Sequence, residues 1–208
     1  DLHRLVALVG HRHQHRGVGL GEILGRQLPG RALGLQPEPL PDDLVVADNG
    51  AISLLVYQRL PSPGYEIRTY SPARNEWLSP RSLSQEVTLP TGLFADGDRL
   101  LVAAGRQGLV VLDVANPASP SELGSFDTSG EARDVTAIGE VAFVADFHPG
   151  LVAIDFSDLS NLRELGRLET PDSARDVLVV SEEDGVLAVA VGTEGLFIVN
   201  GADPAAME

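Results

Sequence analysis

Short apolar runs, punctuated by turn residues, recur along the chain at a fixed spacing. Residues 132–138 read ARDVTAI, 141–146 VAFVAD, 151–156 LVAIDF and 164–169 ELGRLE. Gly139-Glu140 and His148-Pro149-Gly150 separate the first three runs, and a polar loop precedes the fourth. Runs of this length bounded by Gly, Pro, Asn and Asp predict a meander of antiparallel strands. VAFVA and LVVLDV are apolar at successive positions, so both faces of these strands are apolar. A sheet with one solvated face would alternate apolar and polar residues, so these strands are sandwiched between neighbours on both sides. No stretch of a dozen residues carries helical periodicity. Leu20–Leu28 has the length of a short helix, but Gly21 and Gly25 argue against it.

The unit repeats. ARDV occurs at 132–135 and 174–177, 42 residues apart. GLVVLD starts at Gly108 and GLVAID at Gly150, again 42 apart, and GLFIVN follows at Gly195. A period of this size built from short β runs predicts a propeller or solenoid, and four strands per unit predict propeller blades. The expected fold is therefore all-β: a β-propeller of four-stranded antiparallel blades, a partial propeller with about four blades in one domain, 1–208. The blade boundaries fall at 1–28 (a partial blade with a degenerate loop), 29–90 (with an insertion), 91–130, 131–172 and 173–208 (incomplete). In the first part, residues 39–50 match a second strand and its turn. EILGRQ (22–27) matches the fourth strands SELGSF (121–126) and RELGRL (163–168), and LVALVG (5–10) matches a third strand. YEIRTYSPARNEWL (65–78) is similar to the outer half of a kelch-type blade, without the kelch double glycine. The strand count leaves two readings. In one, the N-terminal fourth strand completes the last blade and closes a four-bladed ring. In the simpler one, the chain is a piece of a larger propeller whose exposed blade edges invite self-association.

The core GLVVLDVANPASPSELGSF, followed by ARDV and VAFVAD, resembles the LVIVD repeat, named for a third-strand motif that reads LVVLD at 109–113 and LVAID at 151–155 here. The turn Asn116-Pro117-Ala118-Ser119-Pro120 matches the family's Asp-rich turn with spaced prolines. The resemblance is specific over residues 91–200. Leu159 and Leu162 stand where the prolines do in the other copy, and Asn200 replaces the motif's Asp. The resemblance implies a β-propeller, typically in bacterial or archaeal secreted and cell-surface proteins. It implies no reaction, because propellers host enzymes, binding modules and scaffolds alike.

Composition narrows the chemistry. The 208 residues include no Cys, which excludes disulfides, thiol nucleophiles and thiolate metal sites. All 15 basic residues are Arg, and the net charge is −15. Residues 1–36 hold five Arg against two acids, and the remainder ten Arg against 28 acids. A surface this acidic repels nucleic acid and anionic membranes. No run of about 18 apolar residues offers a membrane span. No signal peptide is visible, and the chain begins at Asp1.

Candidate site residues follow from the topology. Loops that join blades share one end of a propeller with the turns between second and third strands. That end is expected to carry Arg106, Gln107, Arg133, Asp146, His148, Arg175 and Glu194 as ligand-binding candidates, with Asp134 and Asp176 beside Arg133 and Arg175. The two Arg-Asp pairs open first strands, where an interblade Arg–carboxylate network is the structural reading and a ligand-binding ring the functional one. Asp113 and Asp155 recur at the ends of third strands, as acceptors for the amides of the following turn. His148 beside Asp146 has the look of a base and its orienter, but no G-x-S-x-G motif or nucleophile turn accompanies it. His11, His13 and His15 alternate as metal ligands on a strand would, but Arg12 and Arg16 repel a cation. GVGLGEILG (17–25) lacks the spacing of a nucleotide-binding loop. The expected function is a non-catalytic binding or scaffold module, extracellular, cell-surface or periplasmic, that holds a protein or polymer partner and needs no cofactor. One alternative is a metal-assisted hydrolase using Ca or Zn with Asp146 and His148 among the ligands. Another is a structural segment of a larger multi-domain surface protein.

Overall fold

The computed structural model describes residues 90–116 and 120–208 in full, and the backbone of five strands before them. Among the described residues every regular element is a strand. Blade A contains β1 (Asp43–Val46), β2 (Ile52–Gln58), β3 (Gly64–Ser71), β4 (Glu76–Trp77) and β5 (Arg81–Ser82). Blade B contains β6 (Gly92–Asp96), β7 (Arg99–Ala103), β8 (Leu109–Asp113) and β9 (Ser121–Phe126). Blade C contains β10 (Asp134–Ile138), β11 (Val141–Ala145), β12 (Gly150–Asp155) and β13 (Arg163–Glu169). Blade D has three strands, β14 (Ala174–Ser181), β15 (Val186–Val191) and β16 (Gly195–Asn200).

In each sheet the strands pair antiparallel in sequence order, β6-β7-β8-β9, β10-β11-β12-β13 and β14-β15-β16. The first strands β1, β6, β10 and β14 lie side by side in chain order, the arrangement of propeller blades around an axis. The doubly apolar strands do what their pattern requires. One cluster joins Leu101, Leu109 and Val111 of blade B to Val135, Val144 and Val152 of blade C. A second joins Phe143, Leu151 and Ala153 of blade C to Val177, Leu187 and Val189 of blade D. Blade contact is thus sheet on sheet through small and branched residues, the shape that twisted sheets pack best.

The recurring ELG of the fourth strands has a specific cause. Pairing slips by one residue between Val111 and Leu112 in blade B and between Ala153 and Ile154 in blade C. The slip leaves Leu123 and Leu165 as bulge residues and puts Gly124 and Gly166 against the next blade. A Cβ on Gly124 would stand 2.1 Å from the Leu159 carbonyl oxygen, and one on Gly166 2.4 Å from that of Pro204.

Blade A departs from expectation. Residues 43–46 take the first position in their sheet, beside β6, not the second. A run apolar on both faces suits either position, so the pattern does not distinguish them. The hairpin within residues 65–78 forms, with Tyr70 opposite Trp77 in register. β4 and β5 both pair with β3, so the fourth strand of this blade is split. The strands expected at 5–10 and 22–27, His11, His13, His15 and the 17–25 segment lie outside the described residues. The described blades do not close a ring: Leu196 and Ile198 on the outer face of blade D are 66% and 63% exposed.

Candidate functional site

The turn between the second and third strands of one blade is bridged to the linker that enters the next. Gly105 N donates to Ala132 O at 3.1 Å, and Ala132 N returns to Gly105 O at 2.8 Å. One blade on, Phe147 N donates to Ala174 O at 3.1 Å and Ala174 N to Phe147 O at 2.9 Å. These bridges gather Arg106, Gln107, Arg133, His148 and Arg175 at one end of the blades, as the topology predicted. Arg106, His148, Arg175 and Glu194 are exposed there, and Gln107, Arg133 and Asp176 half-buried.

Asp134 differs from its expected place. It is buried between blades, and its Oδ2 accepts the Val177 amide of blade D at 3.1 Å. A Cβ on Gly92 of blade B would fall 2.4 Å from its Oδ1, so the carboxylate sits where three blades converge. Arg133 pairs instead with Glu131 in its own linker, at 2.9 Å. The alternation of a strand sends neighbouring side chains to opposite faces, and here the aspartate takes the inner one.

The residue that organises this end was not among the candidates. Phe147 has φ +53°, in the left-handed region. The equivalent residues of blades B and D are Gly105 at φ +58° and Gly192 at φ +36°. The turn asks for glycine, and a bulky residue there carries strain of about 1–3 kcal/mol. In return its ring supports two guanidiniums from successive linkers, Arg133 at 4.9 Å and Arg175 at 5.8 Å from the ring centre. Such contacts contribute roughly 0.5–1 kcal/mol each at exposed sites. The His148 ring meets Phe147 edge-on at 4.9 Å, and Arg175 Nε donates to Ser173 Oγ at 3.1 Å. The result is a shelf with two fixed arginines and an exposed histidine.

Asp146 lies beneath it, fully buried. Its Oδ1 accepts the Thr128 hydroxyl at 2.5 Å, while Oδ2 is buried without a partner. Burial pushes its pKa up to about 6, against the Thr128 hydrogen bond and the positive charge of Arg167, which pull it down. With its oxygens so disposed, Asp146 does not orient His148, and the expected base–orienter pair is not formed. Among the described residues no group of three or more His, Cys, Asp or Glu is arranged to hold a metal ion.

The turns after the third strands are uniform. Asp113 accepts the Ala115 amide at 2.8 Å, Asp155 that of Ser157 at 2.9 Å, and Asn200 that of Ala202 at 3.1 Å. Asn200 thus does the same work as the aspartates. The Ser157 hydroxyl and amide, with Arg163, hold Asp155 down at about 2.

A family model described as LVIVD repeat matches residues 93–128 and 129–170. No curated protein sequence matches the chain. Among solved structures, a functionally unknown protein from Desulfotomaculum acetoxidans is similar at TM-score 0.62 and 14% identity, over 83% of this chain and 56% of that one. The computationally designed Ika4 protein is similar at TM-score 0.59 and 9% identity, over 79% of this chain and 92% of its own. The designed Ika8 protein gives TM-score 0.55 and 8% identity, over 78% of this chain and 46% of its own. At these identities the likeness is one of fold. This chain spans little more than half of the Desulfotomaculum protein.

Proposed function

Because the chain belongs to the LVIVD-repeat family over residues 93–170, and these residues fold as two whole propeller blades, we propose that it is a non-catalytic binding module of a bacterial or archaeal cell-surface or secreted protein. It holds a partner protein at the end where turns and linkers meet, through an oxyanion on that partner. The observation that carries the reading is Phe147, a strained residue in a glycine position whose ring fixes Arg133 and Arg175. Strain that the repeat does not require, retained where it presents charged groups, supports a binding role. Paired guanidiniums suit carboxylates in particular. The acidity of the chain favours a discrete acidic segment over an extended polyanion, which the net charge of −15 would repel. The buried, one-sided environment of Asp146 supports the non-catalytic part, since it leaves His148 without an orienting carboxylate. The extracytoplasmic setting draws its support from the family resemblance alone.

The test is calorimetric titration with pentaglutamate and with polygalacturonate. The peptide is expected to bind, more weakly as salt rises, and Phe147→Gly to weaken it about ten-fold or more while the blades stay folded. Equal binding by Phe147→Gly, or binding of polygalacturonate alone, would overturn the reading.

A further inference from the structure

Two departures from the repeat stand next to each other. Where blade C has Asp146-Phe147, blade B has Ala104-Gly105 and blade D has Val191-Gly192. Ala104, Asp146 and Val191 are all buried, so two blades fill this place with a small apolar side chain. The repeat needs no acid there, just as it needs no phenylalanine one residue on. The acid is also poorly served. Its Oδ1 accepts the Thr128 hydroxyl, while Oδ2 is buried without a partner.

The surroundings of Oδ2 show what it lacks. A Cβ on Gly130 would stand 2.3 Å from Asp146 Oδ2 and 2.4 Å from the His148 carbonyl oxygen, so both oxygens crowd one point of the linker. Two acceptors brought together repel, and a proton on Oδ2 turns one of them into a donor. The neighbouring charges do not meet that need. Arg167 of β13 attracts the carboxylate, but it is bound to Glu164 and also faces Glu169. Asp127 of the linker repels it. Glu131 and Arg133 pair with each other at 2.9 Å, and the His148 ring turns to Phe147. Burial is the largest cause of the raised proton affinity of Asp146.

The carboxyl also touches both halves of the shelf. Phe147 follows it directly in the chain, and the crowded carbonyl belongs to the same turn. The linker runs alongside: the Glu131 amide donates to Asp146 O at 3.3 Å, and the Arg133 amide to Ala145 O at 2.8 Å. Arg133 Nε, like Asp146 Oδ2, is buried without a partner, so the guanidinium depends on the Phe147 ring and on Glu131 for its place. We propose that Asp146 is a proton latch for the shelf: protonated at Oδ2 it holds the Phe147 turn against the Arg133 linker and an acidic partner binds tightly, and once ionised it repels the His148 carbonyl and the grip weakens. The latch rests on the binding reading given above and adds its regulation, capture of the partner in mild acid and release as pH rises. Linkage makes the effect reciprocal, so an anion on the shelf strengthens the hold of Asp146 on its proton. The gain in affinity is therefore present below the free-state value of about 6 and is lost as pH rises beyond it.

The test is calorimetric titration of the full chain with pentaglutamate at about pH 5.5 and about pH 7.5, where the peptide's carboxylates stay ionised. The wild type is compared with Asp146→Asn, which keeps an acceptor for Thr128 and carries a permanent donor for the His148 carbonyl. His148 is common to both proteins, so any charge it gains in acid enters both equally. Wild-type affinity is expected to fall about five-fold more than that of Asp146→Asn as pH rises. Wild-type binding near pH 6.5 is expected to take up protons, read as a heat that varies with the ionisation enthalpy of the buffer. Asp146→Val, with the residue blade D places there, should lose the same pH dependence, and circular dichroism checks the fold of both variants. A wild-type affinity that does not fall with pH, or an equal fall in Asp146→Asn, would overturn the latch and leave the binding module standing. Binding by neither protein at either pH would overturn both.

Discussion

At each of the two fully described blade joints one carboxylate stands between the turn and the incoming linker, delivered from opposite sides. At the joint between blades B and C the linker contributes Gly130, and Asp146 comes up from the end of β11; a Cβ on Gly130 would lie 2.3 Å from Asp146 Oδ2. At the joint between blades C and D the equivalent linker residue is Asp172, and the turn answers with Gly192, whose Cβ would fall 2.1 Å from Asp172 Oδ2. The two acids then diverge. Asp172 accepts the Thr193 amide at 2.9 Å, the Thr193 hydroxyl at 3.0 Å and the Ser173 amide at 2.6 Å, and these hold its pKa well below the usual carboxylate range. Asp146 has one hydroxyl and an empty oxygen, and burial holds its pKa high. One spatial slot, filled from two directions, yields acids of opposite character. What decides is the number of donors, not the residue type.

The comparison breaks most visibly at Gly130. Gly130→Ala is expected to destabilise the fold by about 3 kcal/mol, because the added methyl meets both Asp146 and the His148 carbonyl. The triple change Gly130→Asp, Asp146→Val and Phe147→Gly copies the C–D arrangement into the B–C joint and is expected to recover most of that loss, read as denaturant midpoints.

The next effect is pH dependence, and the joints carry opposite signs. Asp146 has a folded-state pKa raised from 3.8 to about 6, so its native form holds the extra proton. Its contribution to stability is present below about pH 4 and is lost as pH rises through 6, by roughly 2–3 kcal/mol. Asp172 and Asp155 are depressed, so theirs is present above about pH 4 and lost as pH falls below it. Hydrogen exchange at the two bridges reads the two separately. Between about pH 4 and 6.5 the amides of Gly105 and Ala132 are expected to lose protection relative to those of Phe147 and Ala174. Asp146→Val, the residue type found at this position in blade D, should abolish the difference. Equal behaviour at both bridges would show that the two acids are equivalent after all. The smallest change is Asn200→Asp, which restores the acceptor used by blades B and C and should shift stability by less than about 0.5 kcal/mol in thermal melts.

Much of this was legible in the chain. The strands of blade C fall within two residues of their expected limits, because glycine turns and doubly apolar runs leave little choice of boundary. The gathering of Arg106, Arg133, His148 and Arg175 at one end followed from topology alone. Three things were not legible, each for a physical reason. Asp134 was placed at the mouth because strand alternation says that Arg133 and Asp134 diverge but not which one turns inward. Residues 43–46 read as a second strand because a doubly apolar run suits first and second positions equally. Phe147, Asp172 and Thr128 gave no motif. Their roles emerge only from setting the turns GRQG, FHPG and GTEG against one another, where a phenylalanine stands in a left-handed glycine position.

That substitution supports the most direct test of the account. If Phe147 serves a ligand and not the fold, Phe147→Gly removes strain that the blades never needed. Its melting temperature should equal or exceed that of the wild type. A melting temperature several degrees lower would contradict the account, because Phe147 would then be a packing residue and the arginines around it part of the scaffold.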